Sequence, residues 1–216
     1  MMMNLLYKEF KLSVHPTCYI FLSLAAMMLI PNYPYYVIFF YETLGLFFLF
    51  MAGNATNDIF FTTLLPIRKQ DAVKARVITV VLIELLQVLV CIPFAILRHV
   101  LLKNPNLAGL EANAALFGFG LMMFGLFNVV FLPMFYKTAY KTGTPFVIAC
   151  VVMTVFVIGV EATVNLVPGW KAMLDSINPV FLPQQIFVLG LGIAIFGLLT
   201  TSAYHLSVKR FAALDL

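Results

Sequence analysis

The chain alternates between long apolar runs and short connections that hold most of its charged residues, prolines and asparagines. Six of the runs are close to the length at which a helix crosses a bilayer, about 20 residues. The predicted spans are 17–30, 35–53, 77–97, 112–135, 145–164 and 185–206. The pattern therefore predicts an all-α integral membrane protein with one transmembrane domain over residues 1–216. The first span is the shortest, and Pro16 interrupts the chain where it begins.

The N-terminal residues 1–14 have the pattern of an amphipathic helix. Leu5, Leu6, Phe10 and Val14 share one helical stripe, and the charged residues lie off it. Such a helix lies in the membrane interface with its apolar side towards the lipid. We therefore expect an interfacial helix before the first span.

Two connections are long enough to have structure of their own. Residues 165–184 contain several Pro and Asn and the tryptophan Trp170, so either a short helix or a re-entrant turn is expected there. In residues 54–76 an apolar patch lies beside Asp58, and Pro66 then breaks the chain before a basic cluster. This segment is either a surface helix with a basic rim facing phospholipid or a docking element for a cytoplasmic partner.

Composition excludes a soluble fold. The chain is 63% hydrophobic and 10% charged, with a mean hydropathy of +1.03. Soluble domains are about 45–50% apolar and about 25% charged. A core built from 216 residues could not bury so much apolar surface, so lipid must surround most of the chain.

The basic residues indicate how the chain is oriented. Of 13 Lys and Arg, ten fall on the N-terminus, the C-terminus, 54–76 and 136–144, and three fall on the connections between. Because cytoplasmic connections carry the excess of Lys and Arg, both termini are predicted to be cytoplasmic, in a multi-pass protein of the plasma membrane. The charges are few and separated by apolar runs, which argues against nucleic-acid binding.

The motifs of common enzymes are absent. The sequence has no GxxxxGK[ST] phosphate loop, no HExxH and no GxSxG. His15, His99 and His205 lie on different predicted elements, and the three cysteines have no close partner in the sequence. We therefore expect no enzymatic activity, metal or bound cofactor in this chain.

Polar residues inside the predicted spans are candidates for a buried site or a pathway lining: Glu42, Glu84 and Gln87. A charge in the hydrocarbon region costs at least about 2.5–3.5 kcal/mol, so such groups face protein or water. Glu42 is about 10 Å from the outer end of its span and Glu84 about 10 Å from the inner end of the next, so they need not pair. A protonated or hydrogen-bonded carboxyl group, a pathway lining and a proton relay all remain open.

Small residues recur at helical spacing in the later spans, where they would allow close helix packing. They are Ala114 and Gly118, Gly120 and Gly125, and Gly190, Ala194 and Gly197.

Residues 65–69, LPIRK, followed by the pair Ala75-Arg76, resemble a motif of ABC-2-type permeases, the membrane subunits of ATP-binding-cassette exporters. Family members carry Leu-Pro, a small or polar residue and Arg, and later a small residue followed by Lys. Here Ile67 replaces the usual Ser or Thr, and Arg76 stands where Lys is common. The resemblance extends over the whole chain, from an N-terminal elbow helix through six spans.

The resemblance implies a permease that pairs as a homodimer or with a sister chain. The segment after the second span would be a coupling helix that docks on a separate ATPase subunit, which binds the ATP and magnesium. The residues implied in coupling are Asp58, Phe60, Phe61, Leu64, Leu65, Pro66, Arg68 and Lys69. The substrate would be hydrophobic or amphipathic, as in the Gram-positive bacterial exporters of toxin or antimicrobial peptides such as phenol-soluble modulins.

Two other classes remain open from the residues alone. One is a stand-alone ion-coupled secondary transporter or channel that uses Glu42 and Glu84. The other is a structural membrane subunit with no pathway of its own.

Overall fold

The structure, a computed structural model, describes residues 2–64, 66–102, 104–138 and 141–214. All regular structure within these ranges is helical. The α-helices are α1 Met2–Lys8, α2 Pro16–Ser23, α3 Tyr36–Ala55, α4 Asp58–Leu64, α5 Lys69–Leu101, α6 Ala114–Thr138, α7 Gly143–Leu166, α8 Trp170–Leu174 and α9 Leu182–Ala212. A π-helical segment, Glu9–Ser13, continues α1, and 3-10 segments follow α2 at Leu24–Leu29 and precede α9 at Pro179–Phe181.

In the part of the chain that the structure describes, five helices are long and apolar enough to cross a membrane: α3, α5, α6, α7 and α9. A sixth crossing is formed if the bent pair Met2–Ser13 and Pro16–Leu29 counts as one span. The all-α membrane architecture predicted from the sequence is confirmed. Residues 165–184 contain a short helix, α8, which was one of the two alternatives.

The N-terminal segment is an elbow. Its two helical halves meet at 80°. Pro16 has no N–H to donate to the preceding turn, and His15 caps the new helix by accepting a hydrogen bond from the Thr17 N–H at 3.3 Å. Lys8 in the first half contacts Asp58 just after α3, and Tyr35 at the opposite end of α3 contacts Arg98. The second half of the elbow, Pro16–Leu29, therefore passes from one end of the bundle towards the other.

Helix α6 lies at the centre of the bundle. In the most apolar 18-residue stretch of α6, 78% of the residues are buried, whereas 17% are buried in the corresponding stretch of α7. The main neighbour of α6 is α9. The contacts of Gly118 with Val188 and of Gly125 with Phe196 follow the same order along both helices, which shows that the two helices run parallel. Close packing at these two glycines agrees with the small-residue prediction. Gly190 and Gly197, also predicted at helix contacts, have no heavy atom of another element within 4 Å of a Cβ position.

Helix α5 runs antiparallel to α6 and extends beyond its predicted span of 77–97 at both ends. It has 33 residues, about 50 Å at a rise of about 1.5 Å per residue, against a hydrocarbon thickness of about 30 Å. Arg98, expected in a connection, lies in the last turn of the helix and is buried. Arg76 and Arg98 are about 33 Å apart along the axis, so they bracket a bilayer-length segment.

Candidate functional site

A short helix, α4, lies between α3 and α5 on the side of the bundle with most Lys and Arg residues. Asn57 precedes it with a positive φ of 52°, a conformation that Asn tolerates well. Asp58 is in its first turn, where a carboxylate is favoured by the helix dipole. Seven residues make too short a helix to be stable alone, so contacts with the bundle must hold it.

Those contacts are an ionic cluster of four side chains, Lys8, Glu9, Asp58 and Arg76. Arg76 Nε lies 2.6 Å from Glu9 Oε2, and a second guanidinium nitrogen pairs with Asp58. Lys8 Nζ lies 2.5 Å from Asp58 Oδ1 and donates to the Thr62 hydroxyl at 2.6 Å. Arg76 is 5% exposed and Glu9 4%. The cluster joins α4 to α1, to the π-helical segment and to α5.

The charges of the cluster stabilise one another. Burial of Asp58 opposes its ionisation, but Arg76 and Lys8 outweigh this effect and hold the pKa of Asp58 below its ordinary value. The Arg76 guanidinium also lies over the ring of Phe50, 5.4 Å from its centroid. A cavity of about 20 Å³ lies beside Arg76 and Tyr136, large enough for one water molecule.

The predicted coupling residues divide into two groups. Phe60, Phe61 and Leu64 are 50%, 61% and 67% exposed, so α4 presents an apolar surface away from the bundle. Pro66 and Arg68 after the helix are also exposed.

The other predicted coupling residues lie differently. Asp58 points into the ionic cluster, and Lys69 Nζ donates to the Leu214 carbonyl oxygen at 2.7 Å. Leu65 lies outside the described residues. The structure does not test a docking role for any of these residues. Sequence reasoning missed Lys8 and Glu9, because partners 49 or more residues from Asp58 leave no local pattern.

The polar residues predicted inside the spans are all buried. Glu84 lies at the middle of α5, and its Oε2 accepts a hydrogen bond from Asn128 Nδ2 at 2.9 Å. Asn128 also donates to the Thr200 hydroxyl of α9 at 3.2 Å. Glu42 of α3 is close enough to interact electrostatically with Glu84, although their predicted depths did not require this. Asn128 and Thr200 were missed from the sequence.

Gln87, one turn beyond Glu84 on α5, is fully buried. Its Nε2 contacts Cys91 Sγ at 3.6 Å. Glu42, Glu84 and Gln87 are therefore all buried inside the helix bundle of this chain.

A polar cap closes the end of the bundle opposite α4. Arg98 pairs with Glu111 at 2.8 Å, and the Glu111 N–H donates to Asp175 Oδ1 at 2.9 Å. Asn113 Nδ2 donates to the Leu174 carbonyl oxygen at 2.7 Å, which ties α8 to the start of α6. Burial raises the pKa of Asp175, and the hydrogen bond from Glu111 offsets only part of this effect.

An apolar cavity of about 570 Å³ opens between α6, α8 and α9 near this cap. Its walls include Phe119, Trp170, Met173, Phe187 and Leu191. A volume of this size accommodates several large apolar side chains or part of a lipid chain.

The comparisons with known proteins identify one relationship. The family model described as "ABC-2 family transporter protein" matches residues 4–212. No curated protein and no solved structure matched the chain. Because the match covers nearly the whole chain, including the elbow, α4 and all five long helices, the chain belongs to the ABC-2 transporter family and is the membrane permease component of an ATP-binding-cassette transporter.

Proposed function

We propose that the chain is the permease half of an ATP-driven exporter and that α4 is the helix through which it couples to a cytoplasmic ATPase. Two permeases, identical or of sister sequence, would enclose the path, and the ATPase chains would bind and hydrolyse ATP. The cargo is hydrophobic or amphipathic, with toxin and antimicrobial peptides as the leading class. The observation that carries this proposal is an exposed apolar helix anchored to three other segments by buried ion pairs.

The surface of α4 suits docking to a protein. Phe60, Phe61 and Leu64 are exposed on a helix whose position is fixed from behind, so little conformational entropy is lost when a partner covers them. Aromatic residues are enriched in the buried centres of protein interfaces. Arg68 adds a basic group next to this surface.

The ionic cluster provides a mechanical connection. Arg76 holds Asp58 of α4 and Glu9 of the π-helical segment at the same time, and it belongs to α5. A displacement of α4 by the ATPase would therefore move α5 and the elbow together. In this proposal Arg76 is a positioning residue, and Phe61 and Leu64 make the contact.

The cargo class is the one that the family resemblance implies, and the apolar surfaces of the bundle are compatible with it. The cavity between α6, α8 and α9 is lined almost wholly by apolar side chains. An amphipathic peptide could place its apolar face against such a surface while its polar face stays hydrated. Family membership supports an ATP-driven mechanism over the stand-alone ion-coupled transporter.

The test is co-expression with the reading frames that neighbour the permease gene, followed by affinity purification of the permease and identification of any nucleotide-binding subunit that co-purifies. We expect the ATPase to co-purify with the wild-type chain. The double variant F61A/L64A should lose most of it, with an unchanged unfolding temperature because both side chains are exposed. L12A, which removes an exposed leucine of the elbow, is the matched control and should retain the ATPase.

Failure to recover any nucleotide-binding subunit with the wild-type chain would contradict the permease–ATPase assembly. Full recovery with F61A/L64A would contradict only the docking role of α4. Charge reversal at Arg68 tests the basic rim in the same way, whereas reversal at Asp58 would first break the ionic cluster and is less informative.

A further inference from the structure

Four polar side chains at the centre of the bundle, Glu42, Glu84, Gln87 and Asn128, together have more hydrogen-bond acceptors than donors. Glu42 Oε1 and Oε2, Glu84 Oε1, Gln87 Oε1 and Asn128 Oδ1 are buried and have no hydrogen-bond partner among the residues that the structure describes. All five atoms are oxygens. Unpartnered acceptor oxygens can be satisfied only by a species that brings a hydrogen-bond donor or a positive charge.

We propose that Glu84 and Asn128 form a proton-binding site, in which one proton on Glu84 Oε1 converts the unpartnered oxygens of the two side chains into a donor and an acceptor. Asn128 Nδ2 already donates to Glu84 Oε2. With the proton in place, the acid O–H can donate to Asn128 Oδ1, which gives the paired hydrogen bonds of a carboxylic acid and an amide. The proton comes from solvent water and returns to it.

The surroundings of Glu84 favour a proton over retention of a full negative charge. Glu84 is fully buried at the middle of α5, where an unpaired charge is costly. The groups facing the site are Asn128 on α6, Thr200 on α9, Glu42 on α3 and Gln87 on α5. None of these is a cation.

The other titratable groups around the site supply no counter-charge to Glu84. Cys91 on α5 and Cys18 on α2 interact electrostatically with Glu42. His205 of α9 is exposed on the outside of the bundle. Arg76 is two turns towards the basic side and is occupied by Glu9 and Asp58. Among the described residues, no three His, Cys, Asp or Glu side chains lie close enough together to hold a metal ion.

The site links proton occupancy to the closed packing of three helices. Glu84, Asn128 and Thr200 connect α5, α6 and α9 in one hydrogen-bonded row. Release of the proton would leave a buried carboxylate facing unpaired oxygens, so it requires water to enter between these helices. The protonated form therefore favours the closed bundle and the ionised form favours a hydrated one.

The experiment is infrared spectroscopy of the full-length protein in lipid nanodiscs at neutral pH, where a protonated carboxyl group gives a carbonyl band that a carboxylate lacks. We expect the wild-type minus E84Q difference spectrum to contain this band. In N128L the same band should shift to higher frequency, because Glu84 keeps its proton but loses its hydrogen-bond partner. D71N, which removes a carboxyl group at the basic end of α5, is the control and should leave the band unchanged.

A difference spectrum for E84Q with no protonated-carboxyl band, or a band that N128L leaves in place, would overturn the proposal. If E84Q does not fold, N128L still decides the matter, since it retains the acid. The measurement needs neither ATPase nor cargo, so its failure would not affect the proposed transport function.

Discussion

At the scale of single residues, Arg76 joins three side chains on the basic side of the bundle. Its guanidinium pairs with Glu9 and Asp58 and lies over Phe50, and almost none of its surface is exposed. A buried ion pair adds little net stability compared with apolar packing, but removal of one partner leaves uncompensated charge. The arginine is therefore expected to be hard to replace.

We expect R76Q to destabilise the protein by about 3–5 kcal/mol, because Glu9 and Asp58 would keep buried negative charge without a guanidinium. Thermal unfolding in detergent, followed by circular dichroism, measures the effect. R68Q removes an exposed arginine and serves as control. The double variant R76Q/D58N should recover part of the loss. Equal unfolding temperatures for R76Q and R68Q would show that the cluster does not hold the fold together.

Asp58 predicts a particular dependence of stability on pH. Its pKa is lower in the folded protein than its ordinary value of about 3.9. The stability that its ion pairs contribute is therefore fully present above that value and is lost as pH falls through the lowered, folded-state pKa. D58N should lower the unfolding temperature at neutral pH. The difference in unfolding temperature between D58N and wild type should become smaller below about pH 4. A gap that stays constant through acid pH would contradict the ion-pair assignment.

At the scale of elements, the parallel pair α6 and α9 depends on a close backbone approach. A Cβ atom on Gly118 would lie 2.6 Å from the carbonyl oxygen of Val188, and a Cβ atom on Gly192 would clash with the backbone of Gly118. Helices in a membrane pack largely through such small-residue contacts, because lipid provides no hydrophobic drive between them.

We expect G118A to destabilise the bundle by about 1–3 kcal/mol, since the methyl group forces backbone apart. G197A is the matched control on α9, with nothing within 4 Å of its Cβ position. That substitution should be neutral or stabilising by about 0.5–1 kcal/mol, because alanine favours the helix over glycine. The measurement is the unfolding temperature of G118A, G197A and wild type in detergent. Equal stability of G118A and G197A would contradict the close crossing.

The cap around α8 predicts the opposite pH effect. The pKa of Asp175 is raised, chiefly by burial, so its ionisation opposes folding. The associated stability is present below the ordinary value of about 3.9 and is lost as pH rises through the raised pKa. D175N retains the oxygen that accepts the Glu111 N–H, so we expect it to be more stable than wild type at neutral pH and equal to it in acid. A less stable D175N at neutral pH would contradict this assignment.

These elements show what the sequence could predict. Hydropathy located the long helices and the exposed apolar residues of α4, because both depend on local pattern. The inward position of Asp58 could not be predicted, since its partners Lys8 and Arg76 lie on other elements. The pairing of Glu84 with Asn128 was missed for the same reason. The sequence predicts Gly118 and Gly197 alike as helix-contact positions. Only the orientation of the helices shows that Gly118 lies against α9, whereas Gly197 has no neighbouring atom within 4 Å of its Cβ position.

At the scale of the whole molecule, two buried arginines mark the ends of the bundle. Arg76 holds the elbow and α4 at one end, and Arg98 holds the cap at the other, about 33 Å away along α5. Since Lys8 belongs to the first end and Tyr35 to the second, we expect the N-terminal segment to form a sixth crossing. The first half of the elbow, α4 and the end of α9 then share one side, which the excess of basic residues predicts to be cytoplasmic.

This orientation predicts which positions a membrane-impermeant maleimide reaches in intact cells. In a background without Cys18, Cys91 and Cys150, we expect K171C, after α7, to be labelled from outside. K11C in the elbow and K141C before α7 should react only after the membrane is permeabilised. All three lysines are exposed, so accessibility reports sidedness rather than burial. Labelling of K11C but not K141C in intact cells would mean that the bent N-terminal pair does not cross the membrane. The reverse pattern at all three positions would mean an inverted protein, with α4 out of reach of any cytoplasmic ATPase.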